Sequence, residues 1–339
     1  MKRFVYILAL LLALVATSCT HKELCENHSA HAHRFHMNVV ADYRLDWEEN
    51  LTGYRDWEAT WEKYFMDYNS LRPNVPKGLR VINFDHNDNY NIHNIPATGG
   101  VVSLYEGYND ILFYNNDTEY IIFSRNETGA STRATTRTVT RVTYSGNTFA
   151  EDNEKTANAP DMLFANYRED YFAEKTLGPV EFPIVLQPLV FTYKIRYEFA
   201  EGLKYVSLAR GALSGMAESV QMNTGETSST GVTILYDCEV TDYGVRALAT
   251  SFGIPGYPNP NYPVTRAIRH GLNLEVMLRN GKMMTFEFDV TDQVNSQPHG
   301  GVIVVDGIVI KEEDGVQGSG AFDVVVDDWG PYQDIPLPL

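Results

Sequence analysis

Residues 191–199 read Phe191-Thr192-Tyr193-Lys194-Ile195-Arg196-Tyr197-Glu198-Phe199. Apolar and aromatic side chains alternate one for one with polar and charged ones. A two-residue period over nine positions puts Phe191, Tyr193, Ile195, Tyr197 and Phe199 on one side of an extended chain and Thr192, Lys194, Arg196 and Glu198 on the other. A helix would scatter both sets around its axis. The stretch therefore predicts a strand of an antiparallel sheet with one face buried and the other wet.

The same style continues downstream, in Tyr205–Arg210, Val232–Val240, Leu272–Leu278, Met284–Val290, Val302–Ile310 and Ala321–Val326. Asn280-Gly281 marks a hairpin turn between two of these runs. Upstream, Asn38–Trp47 alternates with Val39, Ala41, Tyr43, Leu45 and Trp47 on one face. Arg80–Phe84, Val101–Tyr105, Asp110–Tyr114, Glu119–Ser124 and Thr136–Tyr144 are short runs rich in Val, Ile, Thr, Tyr and Phe. Asn115, Asn116 and Asp117 read as the tight turn of a hairpin, and Asn126–Arg137 as a mobile loop. One segment changes period: Trp57, Trp61, Tyr64, Phe65 and Tyr68 fall on one face of a helix over 54–68. Many short strands with turn signals between them, and no strand-helix alternation, predict a mainly β chain of two tandem antiparallel sandwiches with one or two short helices.

The N-terminus decides where such a chain resides. Lys2 and Arg3 precede an unbroken apolar run, Phe4–Val15, too short to span a bilayer well, and Ala16, Thr17 and Ser18 lead directly to Cys19. This is the pattern of a signal peptide over residues 1–18 ending in a bacterial lipobox, with Cys19 as the lipidation site and first residue of the mature chain. Two or three acyl chains give firm anchoring, since each buried methylene contributes about 0.8 kcal/mol and one chain alone is marginal. Residues 19–36 then form a tether carrying His21, His28, His31, His33 and His36 beside Cys25. These histidines lack a convincing metal-ligand spacing, so a solvated leash is expected and no metal. A proline-punctuated stretch between Gly178 and Pro188 suggests the join of two domains, 37–180 and 181–339.

Composition narrows the function. Removing residues 1–18 takes away two cations and no acid, so the net charge moves from −17 to −19. Such a surface repels nucleic acid, whose partners need basic patches. With 44% hydrophobic and 21% charged residues the chain has enough apolar side chains for real cores. Cys25 and Cys238 leave a disulfide open in an oxidising compartment.

A search for chemistry yields little. There is no G-x-S-x-G, no H-E-x-x-H and no phosphate-cradling glycine loop. Ser103, Ser214 and Ser319 have no identifiable base, and Asp323, Asp327 and Asp328 around Trp329 read as an acidic strand end. Asp85–Asn91 has the oxygens of a calcium loop but lacks its turn glycine and terminal glutamate, so it reads as an inter-strand loop. Catalytic residues and cofactors are therefore expected to be none. A glycan surface is the alternative: the chain has 21 Tyr and 4 Trp, and Tyr257, Tyr262 and Tyr332 lie among prolines and glycines where no period demands their burial.

The chain resembles the FimB-type fimbrial anchor and fimbrillin-associated lipoproteins of Gram-negative bacteria. The resemblance is carried by Cys19 followed by Lys22-Glu23-Leu24-Cys25 and the histidine-rich tether, Tyr114–Glu119 (YNNDTE), Pro188–Phe199, Leu213–Ala217 (LSGMA, read as a turn), Phe286–Gln293 (FEFDVTDQ) and the acidic tail Phe322–Leu339. It implies two transthyretin-like β-sandwich domains on a lipid tether in the outer membrane. It also implies a role at the base of, or accessory to, a surface fimbria, with pilin subunits as partners joined by an added β-strand. No catalytic residues carry over.

Overall fold

The structure is a computed structural model that describes residues 35–45, 73–87, 89–124, 131–151, 154–258, 269–316 and 333–334. The signal peptide, Cys19, Cys25, the helical-period segment with Trp57 and Trp61, Tyr262, Tyr332 and the acidic Asp323–Asp328 stretch lie outside the described residues.

Strand is the dominant structure of the described chain. The first half gives β1 (His36–Tyr43), β2 (Gly78–Phe84), β3 (Tyr90–Pro96), β4 (Gly99–Ser103), β5 (Gly107–Asn115), β6 (Ile121–Ser124), β7 (Arg133–Thr136), β8 (Val139–Thr140), β9 (Lys155–Asn158), β10 (Phe164–Ala173) and β11 (Val180–Pro188). The second gives β12 (Phe191–Glu201), β13 (Val206–Ala217), β14 (Ser219–Gln221), β15 (Gly231–Thr241), β16 (Gly244–Ser251), β17 (Gly271–Leu278), β18 (Met283–Asp289), α1 (Thr291–Asn295), β19 (Gly301–Val309), α2 (Glu312–Gly315) and β20 (Gln333–Asp334).

These strands make two large sheets, each nearly closed around its own core. The first has the order β3-β2-β5-β10-β11-β1-β4 and encloses Met37, Val39, Leu79, Val81, Ile111, Phe113, Phe164 and Leu186. Its two edges meet through the turn at Thr98, where Gly99 has φ +114° and a Cβ would collide with the Val39 carbonyl. His93 Nε2 reaches the Ser103 carbonyl at 3.1 Å across that gap. The second sheet runs β18-β17-β13-β15-β16-β12-β19, with β9 on β15, around Tyr193, Ile195, Tyr197, Leu213, Ile234, Leu272, Leu274, Val276 and Ile303. Tyr197, fully buried, ties opposite sides of this barrel: its hydroxyl lies 2.9 Å from that of Tyr236 and donates to the Asn273 carbonyl at 2.8 Å. The mainly β, two-sandwich architecture is as the alternation predicts. Antiparallel pairing dominates, but β1 with β11, β12 with β19, and β9 with β15 are parallel.

Several local expectations change. Asn115-Asn116-Asp117 is no hairpin: β5 pairs with β2 and β10, whereas β6 pairs with β7 in a small sheet β14-β7-β6. The chain leaves the first sheet there, and the Asn115 amide fixes the exit by donating to Asp117 Oδ1 and the Met162 carbonyl. Arg133–Thr136, read as loop, is strand β7. The proline-punctuated Val180–Pro188 is strand β11, between β10 and β1, and the chain crosses to the second sheet between Pro188 and Phe191. Leu213–Ala217 is not a turn but a bulged part of β13, with Gly215 at φ +79°. Asp85–Asn91 closes the β2–β3 hairpin, the Asp85 carboxylate accepting from the Asn87 and Asn89 backbone N–H groups. Asn280-Gly281 makes its hairpin, with Gly281 at φ +82°.

The expected wet face of Phe191–Phe199 is also not wet: Lys194 and Arg196 are each only 7% exposed. The Arg196 guanidinium lies over the Tyr243 ring at 5.1 Å and pairs with Glu198 at 3.0 Å, so its stem is covered while its charge is matched.

The segment from β8 to β9 crosses to the outer face of the second sheet. Val139 packs on Ala212 and Leu235. Arg141 follows it down, donating to the Gly211 and Tyr236 carbonyls and pairing with Glu275 at 3.3 Å, both side chains at most 2% exposed. A third cluster, with Ile82, Leu112, Tyr114, Leu163, Val190, Val220, Met222 and Phe252, fills the seam between the two halves.

Candidate functional site

A cleft of about 450 Å³ opens at this seam. Its floor is apolar, made by Leu189, Val220 and Met222, each at most 8% exposed. One wall is aromatic: the Phe191 and His299 rings stack at 4.4 Å, and Tyr257 meets His299 edge-on at 4.7 Å. The lining also holds polar side chains, Asn166, Gln187, Asn223 and Thr224. Among the described residues Arg44 is the one charged side chain in the lining, and it donates to Gln187 Oε1 at 3.4 Å.

The aromatic wall is held from behind. Tyr257 N–H donates to Thr227 Oγ1 at 2.8 Å, and its carbonyl accepts from Thr227 N–H at 2.6 Å. The buried Tyr193 hydroxyl donates to the Gln297 carbonyl at 3.0 Å, fixing the turn that presents His299. Burial lowers the His299 imidazole to about 4, so it is neutral near pH 7. Asn223 Oδ1 is buried and has no hydrogen-bond partner among the described residues, an acceptor that ordinarily finds one.

The second feature is the pair of edges of the second sheet. On β19, Val302 N–H donates to Gln297 Oε1 at 2.8 Å and its carbonyl accepts from Gln297 Nε2 at 2.9 Å. Val304 is matched in the same way by Gln293, at 2.9 and 3.0 Å. Two side-chain amides thus stand where another strand's backbone would. At the other edge, β18 has no strand on its far side among the described residues. It alternates half-buried Met284, Phe286 and Phe288, packed on the core, with exposed Thr285, Glu287 and Asp289.

A polar cleft of about 620 Å³ lies beside the crossing segment, lined in part by Asn147, Glu151, Glu154 and Glu287. Glu154 Oε1 accepts from Gly215 N–H at 2.7 Å, and burial raises its carboxyl to about 7. Glu287 accepts from the Thr148 hydroxyl at 2.6 Å. Both carboxylates fasten the crossing segment to the sheet. No group of three His, Cys, Asp or Glu among the described residues could hold a metal ion.

Of the residues singled out in the sequence, Tyr257 lies in the seam cleft, whereas Tyr262, Tyr332 and Cys19 lie outside the described residues. Cys238 is on β15, its thiol raised well above its usual range by burial. Ser214 is fully buried, donating to the Gly271 carbonyl and accepting from its N–H, which leaves no hydroxyl to act as a nucleophile. Phe191, His299 and Asn223 were not foreseen as site residues. Nothing local marks them, because the cleft joins positions more than a hundred residues apart.

No curated protein matches the sequence. Among solved structures, the chain is similar to a protein from Bacteroides ovatus provisionally assigned as an adhesin, with a TM-score of 0.55 at 16% identity over 90% of this chain and 98% of that one. Looser overlaps include proteins from Bacteroides thetaiotaomicron provisionally assigned as polysaccharide binding (TM-score 0.45, 9% identity, 80% and 92% of the two chains). The fimbrial anchor protein Mfa2 from Porphyromonas gingivalis is another (0.42, 12%, 80% and 90%). The first of these shares the fold. The family described as Domain of unknown function (DUF5119) matches residues 62–237, just over half of the sequence, and the chain belongs to that family.

Proposed function

We propose that the protein is a non-catalytic lipoprotein of the outer membrane, held by a lipid on Cys19, that serves as a FimB-type anchor or accessory subunit of a surface fimbria and takes up a β-strand from a pilin subunit. The observation that carries this reading is the asymmetry of the two edges of the second sheet. β19 is occupied by glutamine amides, whereas β18, among the described residues, presents an unpaired edge over half-buried Met284, Phe286 and Phe288. An incoming strand at β18 would gain backbone hydrogen bonds and bury those side chains further. The fold shared with the Bacteroides ovatus protein supports a role in surface adhesion. No helix among the described residues is long and apolar enough to cross a membrane.

The test uses residues 20–339, without Cys19, mixed with synthetic peptides of pilin terminal strands and observed by native mass spectrometry. A one-to-one complex that is lost when Phe286 is changed to Asp supports the reading, and the absence of any complex overturns it. Labelled palmitate entering the cellular protein, but not a Cys19→Ser variant, tests the anchor separately.

One observation favours a second reading, glycan binding at the cell surface. Of the three tyrosines singled out for that role, Tyr257 stands in a cleft with two further rings and several amides.

A further inference from the structure

The seam cleft has a composition that selects its ligand. We infer that it binds a neutral saccharide of one or two rings, whose apolar face lies on Tyr257 beside the stacked pair Phe191 and His299 and whose hydroxyls are read by Asn223, Asn166 and Gln187. This rests on the glycan reading above and is independent of the fimbrial one.

Pyranose rings have one face of C–H groups and a rim of hydroxyls, so they need an aromatic surface on one side and hydrogen-bonding amides on the other. The cleft offers both. The His299 ring stands 4.4 Å from that of Phe191 and 4.7 Å from that of Tyr257, and Thr227 and Tyr193 hold this wall from behind, so little ordering remains to be done on binding. Asn223 Oδ1 is a buried acceptor with no partner among the described residues, and an entering hydroxyl would supply the missing donor. At about 450 Å³ the cleft lies within the range of small-ligand sites, which favours a short saccharide over a long one.

Charge argues for a neutral sugar. Among the described residues the lining has no carboxylate and a single guanidinium, which already donates to Gln187. His299 is kept uncharged by burial, and the chain as a whole carries −17. An acidic saccharide would meet one engaged cation in an overall repulsive field.

Isothermal calorimetry on residues 20–339 tests this with maltose, cellobiose, lactose and mannobiose as neutral probes and sialyllactose and digalacturonate as charged ones. At least one neutral disaccharide is expected to bind, with affinity reduced ten-fold or more by Tyr257→Ala and largely kept by Tyr257→Phe. Thr224→Trp, at the exposed rim, blocks the cleft without touching the core and should abolish binding while leaving the melting temperature unchanged. Tyr108→Ala, at an exposed ring of the first sheet, should leave it intact. Neutral-sugar binding that survives Thr224→Trp, or binding of charged sugars alone, overturns this inference while the glycan reading stands. No binding of any of the six probes overturns both.

Discussion

Gln297 and Val302 exchange two hydrogen bonds, the glutamine oxygen accepting from the valine N–H at 2.8 Å and its nitrogen donating to the valine carbonyl at 2.9 Å. Gln293 repeats the arrangement on Val304. A parallel pair with β12 leaves alternate backbone groups of β19 facing outward, and buried groups of that kind are costly when unmatched. The close approach depends on Gly301, where a Cβ would collide with Gln297 Oε1.

Changing both Gln293 and Gln297 to Leu should therefore lower stability by about 2–4 kcal/mol and expose a second edge. Urea denaturation reads the first effect, and light scattering after size exclusion reads the second as concentration-dependent self-association. A monomer of unchanged stability would show that the amides are incidental.

The pair Arg141–Glu275 fastens the crossing segment. Both side chains are buried, so Glu275→Ala leaves an uncompensated guanidinium and should cost about 3–5 kcal/mol. Replacing both by Met and Leu should restore most of the loss, because the penalty belongs to the unpaired charge. A double variant as unstable as the single one would contradict this.

Tyr197→Phe keeps the ring and removes the hydroxyl that bridges Tyr236 and the Asn273 carbonyl. With the site fully buried, a loss of about 1–3 kcal/mol is expected in denaturant unfolding. A neutral result would mean that Tyr236 satisfies the Asn273 carbonyl alone.

Stability should also depend on pH in a way that can be apportioned. His270 and His299 are lowered to about 4 by burial, so the unfolded chain binds more protons there and stability falls as pH drops from 6.5 toward 4. Glu154, raised to about 7, acts oppositely: its contribution is present below 4.5 and is lost as pH rises through 7. Near pH 5.5 these three groups leave a net uptake of about one proton on unfolding, rising to about two in Glu154→Gln. Equal pH slopes for the two proteins would refute the assignment of Glu154.

Alternation at 191–199, 232–240, 272–278 and 302–310 was enough to place β12, β15, β17 and β19, because strand period is a local property. It failed for β9, β10 and β11. Lys155–Asn158 is short and polar, Phe164–Ala173 contains a bulge between Arg168 and Tyr171, and Val180–Pro188 carries prolines that read as punctuation. Tyr257 stood out because nothing periodic required its burial. Its neighbours Phe191 and His299 did not, since one begins a strand and the other ends a turn.

The amino-acid order alone thus determined that the chain is extended and mainly β, for this follows from side-chain spacing along a few residues. Which strands pair is a different matter. The crossing of β8 and β9 onto the second sheet, the closure of β19 by glutamines, the open edge at β18 and the assembly of the seam cleft all join residues distant in sequence. Such contacts are selected by packing and by the need to satisfy buried backbone groups, and only the folded arrangement decides them.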